Sequence, residues 1–308
     1  MTLLEKWSLF FDFWPMALTM SLGSFIAGAS SEGGGAVAFP VLTLIFKTTP
    51  AVARDFSWMI QTVGMGTAAI SLFLFRAPLY KQVLLPVSLG GLVGLYPGLK
   101  YLAPLMEPSF CKIFFTSLWM SFGVWIFIIE KRKRSQKGWP KQQVLPKHFH
   151  FKDHFLLFFI GLIGGQISAL SGTGLDIFTF AFLILYYNLD EKRATLTSIV
   201  LMAINSLGGV LLKGPFLGDL SSQAWSYWWV SFPVVIFGAP LGASFIRGKS
   251  RSFILSILGM GVITQFLAAF IIIPMTFKLF VFSVFIFCGG LLFFYFLQKS
   301  PSQKRSVS

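Results

Sequence analysis

Residues Ser30-Ser31-Glu32-Gly33-Gly34-Gly35-Ala36-Val37-Ala38-Phe39-Pro40 interrupt an apolar run at 7–29 and lead into a second, shorter run at 34–46. A serine and glycine stretch of this kind ends one helix and starts another, because glycine disfavours helix interiors and serine competes for backbone partners. The pattern returns once, as Ser171-Gly172-Thr173-Gly174 leading into another short run at 174–187. About 20 residues are needed to cross a bilayer, so both short runs are too short to span comfortably.

Outward from these breaks, apolar segments occupy 7–29, 34–46, 51–74, 80–105, 110–129, 154–170, 174–187, 192–212, 225–246, 252–273 and 278–297. Of the 308 residues, 55% are hydrophobic and 12% charged, with a mean hydropathy of +0.75. Soluble domains carry about 25% charged residues, so this chain cannot cover a water-facing surface. A soluble enzyme, a disordered chain and a nucleic-acid-binding domain are excluded. The long, unbroken runs also disfavour a transmembrane barrel, whose strands alternate over short segments. The fold class is all-α: a polytopic integral membrane protein with about 10–11 transmembrane segments.

The first half repeats in the second at an offset of 141 residues. Ala53 falls on Ala194, Ser57 on Ser198, Ser30 on Ser171 and Gly33 on Gly174. The GLYPG stretch at 94–98 corresponds to GAPLG at 238–242, near the same offset. The two short segments fall at equivalent places. If every segment crosses, lysine and arginine divide into 18 on one side and 7 on the other; if neither short segment crosses, the division is 13 and 12. Cytoplasmic loops carry the excess, which favours five crossings per half and hence two inverted five-segment repeats with discontinuous short helices. This reading gives a first repeat at 1–130, a basic cytoplasmic linker at 131–153, a second repeat at 154–275, an additional span at 276–298 and a cytoplasmic tail at 299–308. The first run exceeds a signal-peptide core and reads as a retained span. The expected location is the cell (inner) membrane with the C-terminus inside; the side of the N-terminus stays open.

The net charge of +14 does not point to nucleic acid. Its densest run, Lys131-Arg132-Lys133-Arg134, reads as a linker that fixes topology and meets anionic lipid.

Matched glycine-interrupted segments in inverted halves point to a transporter's midplane site. New helix starts offer free N–H groups and a partial positive charge, which suit a small anion. The candidate substrate-binding residues are Ser30, Ser31, Gly33, Gly34, Gly35, Gln61, Ser171, Gly172, Thr173, Gly174 and Asn205. The competing reading of the glycines is close helix packing. Gln61 and Asn205 are expected to be buried on the third segments, as anion ligands or as bonds between helices. Glu32 and Asp176 sit beside the helix starts and are either proton-coupling groups or caps. Asp12 and Asp55 lie near segment ends and read as solvated; Arg54 reads as an interfacial anchor or as a charge that draws anions to the mouth. Cys111 and Cys288 read as buried packing residues. His148, His150 and His154 form no convincing metal motif, and no cofactor is implied.

These features resemble the sulfite exporter TauE/SafE-like permeases. The resemblance rests on Ala27-Gly28 through Gly33-Gly34-Gly35 with Pro40 and Leu42, on 51–57, and on the second copy at 161–174, 194–198 and Gly208-Gly209. GLYPG and GAPLG also look familial. It implies a membrane permease, usually an exporter, for small sulfur- or carbon-containing anions. The sequence departs from the family at Ser30-Ser31-Glu32, and has Ala181 where the first copy has Pro40. The expected function is secondary transport of a small anion by alternating access, with possible proton coupling. No Walker motif indicates an ATP motor. The alternatives are an integral-membrane enzyme or assembly factor, or an anion channel. The partners implied are the anionic substrate and the bilayer, with oligomeric state open.

Overall fold

A computed structural model describes residues 3–29, 33–135, 150–249 and 251–299. Every regular element among them is helical: α1 (Leu3–Ala29), α2 (Gly33–Pro40), α3 (Pro50–Leu74), α4 (Lys81–Pro97), α5 (Ala103–Leu105), α6 (Pro108–Ser135), α7 (Phe151–Ser171), α8 (Leu175–Leu185), α9 (Glu191–Leu211), α10 (Ser222–Arg247), α11 (Arg251–Ile272) and α12 (Phe277–Lys299). Each of the eleven apolar segments coincides with helical structure. Eight of the described helical stretches are long and apolar enough to cross a membrane, and two more, 175–185 and 259–272, are apolar but shorter.

Local chemistry sets the boundaries. Thr49 caps α3, its hydroxyl accepting the Val52 N–H at 3.4 Å, and Pro50 fills the first helical position, where its missing N–H costs nothing. Asp190 caps α9 through the Arg193 N–H at 2.9 Å, and Ser221 caps α10 through Ala224. Pro15 breaks the hydrogen-bond ladder of α1, and a kink appears at Phe13. Wider π-helical turns follow α2 at Val41–Ile45, α4 at Gly98–Leu102 and α9 at Leu212–Phe216.

The packing is crossed between the halves. α1 lies along α10, and α4 along α7. α3 packs on both α9 and α10, α2 fits against α1 and α3, and α8 against α7 and α9. α6 holds α11 and α12 on its outer side. Small residues set the close pairs, as expected where lipid is as apolar as leucine and helices associate by contact. A Cβ on Gly90 or Gly94 would strike the carbonyl oxygens of Phe158 and Leu162, and one on Gly161 would strike that of Val87. On the other pair, Gly28 faces the Ala239 carbonyl and Gly242 that of Phe25. Close packing therefore accounts for Gly94 and Gly242 of the two repeated motifs.

The centre is filled by Phe56, Trp58, Phe115, Trp119, Phe180 and Phe182, all under 2% exposed. The outside is also apolar: Leu18, Leu22, Phe237, Leu241, Phe285 and Phe296 are exposed, the surface that a bilayer would cover. Cys288 lies on this outward surface, contrary to the expectation of a buried packing residue, because α12 buries only one side. Cys111 is buried as expected.

Candidate functional site

The second helix break is resolved in full. α7 ends at Ser171, and the chain turns through Gly172 and Gly174 at φ of +78° and +133°, conformations that suit glycine. The Ser171 hydroxyl donates to the Thr173 carbonyl at 2.9 Å. Asp176, in the first turn of α8, receives the N–H groups of Gly174 at 3.1 Å and Ile177 at 3.0 Å on one oxygen. The Thr173 hydroxyl donates to the same oxygen at 3.4 Å. This is capping geometry for a carboxylate at a helix start. The other carboxyl oxygen, Oδ2, is buried without a hydrogen-bond partner.

Of the first break, Ser30, Ser31 and Glu32 lie outside the described residues. α2 begins at Gly33, with Gly34 and Gly35 in its first turn. A Cβ on Gly35 would stand 2.5 Å from Nε2 of Gln61 and 2.9 Å from the Thr173 Cβ. Gln61, on α3, donates from Nε2 to the Gly172 carbonyl at 2.7 Å and to the Ser57 carbonyl at 2.9 Å. The start of α2, the middle of α3 and the turn before α8 thus meet at one place. Gly35, Gln61, Gly172 and Thr173 are brought together, with Ser171 and Gly174 adjoining in the turn.

This place is polar and incompletely satisfied. Gln61 Oε1 and the Ser57 hydroxyl are buried without hydrogen-bond partners. Such groups carry a desolvation cost of about 1–3 kcal/mol when left unpaired, so they mark where another group belongs. A void of about 10 Å³ adjoins Gln61, bounded by Met20, Ser24, Ile60 and Val235. Its volume suits about one water molecule.

Asn205 is buried as expected but makes a different contact. Its Nδ2 donates to the Ser168 hydroxyl at 2.8 Å, and Trp58 Nε1 donates to the same oxygen at 3.1 Å. Ser168 therefore ties α3 and α9 to the last turn of α7. Asn205 and Gln61 bond to different partners, and the unpaired Asn205 Oδ1 faces Gly91, 3.0 Å from its Cβ position. The sequence reading missed Ser168 and Trp58, although Trp58 sits beside the singled-out Ser57. A lone serine in an apolar helix carries no signal of its partners.

The charged residues at the start of α3 correct the reading. Asp55 is 1% exposed, not solvated, and Arg54 is 7% exposed. Arg54 Nε and Nη2 donate to Asp55 Oδ1 at 3.1 and 3.0 Å. Lys213 Nζ reaches Asp55 Oδ2 at 3.1 Å, and the Ser221 N–H reaches it at 3.2 Å. Desolvation drives this pairing, since a lone buried charge is far costlier than a paired one. Arg54 also donates from Nη1 to the Ala169 carbonyl at 3.4 Å, so it holds the end of α7 rather than an interface. It lines a cavity of about 160 Å³. Asp12 is exposed. His148 lies outside the described residues, and no group of three metal-binding side chains occurs among the described ones.

The start of α2 and the turn before α8, meeting at a buried glutamine inside a bundle of long apolar helices, prompt comparison with known membrane proteins. The model of the sulfite exporter TauE/SafE family matches residues 16–266. The chain belongs to the sulfite exporter TauE/SafE family. No curated protein and no solved structure matches it. The matched residues run from α1 into α11, so this TauE/SafE chain carries both helix breaks, Gln61 and Asn205 within the family region, while α12 lies beyond it. Membership makes it a multi-pass membrane protein of a permease family.

Proposed function

We propose that this protein is a secondary carrier that moves a small oxyanion, such as sulfite, a sulfonate or a related organic acid, out of the cell by alternating access. 

The observation that carries the reading is the meeting of Gly35, Gln61, Gly172 and Thr173, which draws helix breaks from both halves of the chain to one buried point. Ser30, Ser31, Gly33 and Gly34 are assigned as further donors, while the Ser171 hydroxyl shapes the second turn through the Thr173 carbonyl. Asn205 orders the last turn of α7 through Ser168. The Ser57 hydroxyl is the donor left over at this point; both N–H groups of Gln61 are held by the Ser57 and Gly172 carbonyls and turn to an anion when the turn at Gly172 moves away. Hydroxyl, amide and backbone N–H donors then bind it without the cost of a buried permanent charge.

Two inverted five-segment repeats supply the moving parts. Support comes from two bonds that join nearly equivalent positions of the two halves. The Ser221 N–H donates to Asp55 at 3.2 Å, and the Tyr80 N–H donates to the Thr197 hydroxyl at 3.0 Å. Residue 80 corresponds to 221, and Thr197 corresponds to Phe56, the neighbour of Asp55, so the entry to the fourth segment of each half is held to the start of the third segment of the other. With eleven crossings, these two links lie on opposite faces, the Asp55 link outside and the Tyr80 link inside with the cytoplasmic C-terminus. Opening one link while the other stays closed is alternating access. The 10 Å³ void beside Gln61 is smaller than an oxyanion, so loading requires these elements to part.

Glu32 is assigned the coupling proton and Asp176 the cap of α8. A charged Glu32 beside an anion would oppose it, and protonation removes that opposition. Asp176 already accepts three donors on one oxygen.

The test is uptake and counterflow in proteoliposomes with sulfite, sulfoacetate and a plain carboxylate, with and without a pH gradient. Saturable flux that follows the gradient supports the carrier. Non-saturating flux at channel rates, or no flux of any of the three, contradicts it.

A further inference from the structure

We propose that the cavity at the Arg54 end of α3 is a second binding site for a small oxyanion, a waiting position two helical turns from Gln61. It takes its ligand class from the carrier reading above, but its geometry is independent of Gln61.

The cavity has a volume of about 160 Å³ and is walled by the first turn of α3, by the 103–111 region and by Leu170. Arg54 is the one charged side chain among its lining residues, and no carboxylate lines it. A guanidinium has five N–H donors. Asp55 takes two and the Ala169 carbonyl one, leaving one N–H on each terminal nitrogen. A pair of donors in that fork matches two oxygens of a sulfonate, sulfite or carboxylate. Asp55 is shared with Lys213, so Arg54 keeps part of its positive field for a ligand. Pro50 and Ala51, at the positive end of the 25-residue α3, complete the wall. Thr49 and Cys111 also line it, and Ala103, Met106, Pro108 and Leu170 supply apolar wall.

Its position gives it a use. A Cβ on Gly172 would lie 2.5 Å from the Arg54 carbonyl oxygen, so the turn that bonds Gln61 rests on the backbone of Arg54. An anion held at Arg54 stands at the threshold of the central site.

The test needs no transport. The reporter is the thiol introduced by Met106→Cys, at the cavity wall, with Cys111 and Cys288 both replaced by serine, in purified full-length protein. Its labelling by N-ethylmaleimide is followed against methanesulfonate, a probe that does not consume the reagent. Chloride at equal ionic strength and the uncharged dimethyl sulfone are the controls. Methanesulfonate is expected to slow labelling saturably, by about tenfold at ten times its half-protecting concentration, as mass action requires when bound and labelled forms exclude each other. Chloride and dimethyl sulfone are expected to leave the rate unchanged, and Arg54→Gln to lose the protection. Because Arg54→Gln disturbs Asp55, Ala51→Phe serves as a second variant, filling the cavity without touching the ion pairs; its labelling is expected to be independent of methanesulfonate. Equal slowing by chloride, or protection that survives either variant, overturns the proposal. Protection with no flux in proteoliposomes would leave this site standing and remove the carrier reading instead.

Discussion

The Lys213 ammonium lies 3.1 Å from Oδ2 of Asp55, joining positions 158 residues apart in the chain. Both side chains are nearly sealed from solvent, and Arg54 occupies the other carboxylate oxygen. Removing the carboxylate strands the buried Arg54 and leaves Lys213 only the exposed Asp219, 3.3 Å away. Asp55→Ala is therefore expected to cost about 3–5 kcal/mol, the usual penalty for breaking a buried pair. Adding Lys213→Met should restore part of the loss. Thermal unfolding in detergent measures both; equal melting of Asp55→Ala and the parent would remove the link from the account.

Gly35 has no room for a side chain between Gln61 and Thr173. Gly35→Val is expected to reach the membrane but carry no saturable flux, with Gly35→Ala intermediate. Flux assays on protein matched for yield decide this, and normal transport by Gly35→Val would break the proposed convergence.

The α4–α7 contact depends on backbone touching backbone. Gly161→Ala pushes a methyl group into the Val87 carbonyl and is expected to destabilise by about 1–3 kcal/mol, as overpacking does. Gly66 has nothing within 4 Å of its Cβ position, so Gly66→Ala is the control and is expected to be neutral or slightly stabilising. Similar unfolding temperatures for the two variants would refute the packing argument.

Glu32 and Asp176 are expected to separate by role. An asparagine at 176 still accepts the Gly174 and Ile177 N–H groups through its amide oxygen, so Asp176→Asn should keep its flux and its response to a pH gradient. Glu32→Gln should retain flux that no longer follows the gradient. The reverse outcome, measured in the same vesicles, would exchange the assignments.

The segments were legible because their signal is length of apolarity, which survives without knowing any neighbour. The break before α8 was legible for the same reason, since the run Ser171-Gly172-Thr173-Gly174 is local. What a side chain touches was not. Asp55 and Lys213 are separated by 158 residues, and nothing near either reports the other. Cys288 was misjudged because apolar surroundings in the sequence mean burial only when the solvent is water; on α12 the exposed neighbours are Phe285, Leu292 and Phe296. Arg54 was read from its place at a segment end, where cations meet lipid head groups, but Asp55 and the end of α7 gave it internal partners.

The central claim is that Gln61, at the junction of the two breaks, binds the transported anion. Saturable sulfite counterflow, compared between the parent protein and Gln61→Leu in proteoliposomes at equal incorporation, tests it most directly. A hydrogen bond to a charged group contributes about 1.5–3 kcal/mol, so the account expects about a 10- to 100-fold loss in kcat/KM for Gln61→Leu with its melting temperature lowered far less than that of Asp55→Ala. Counterflow with unchanged kcat/KM would contradict it.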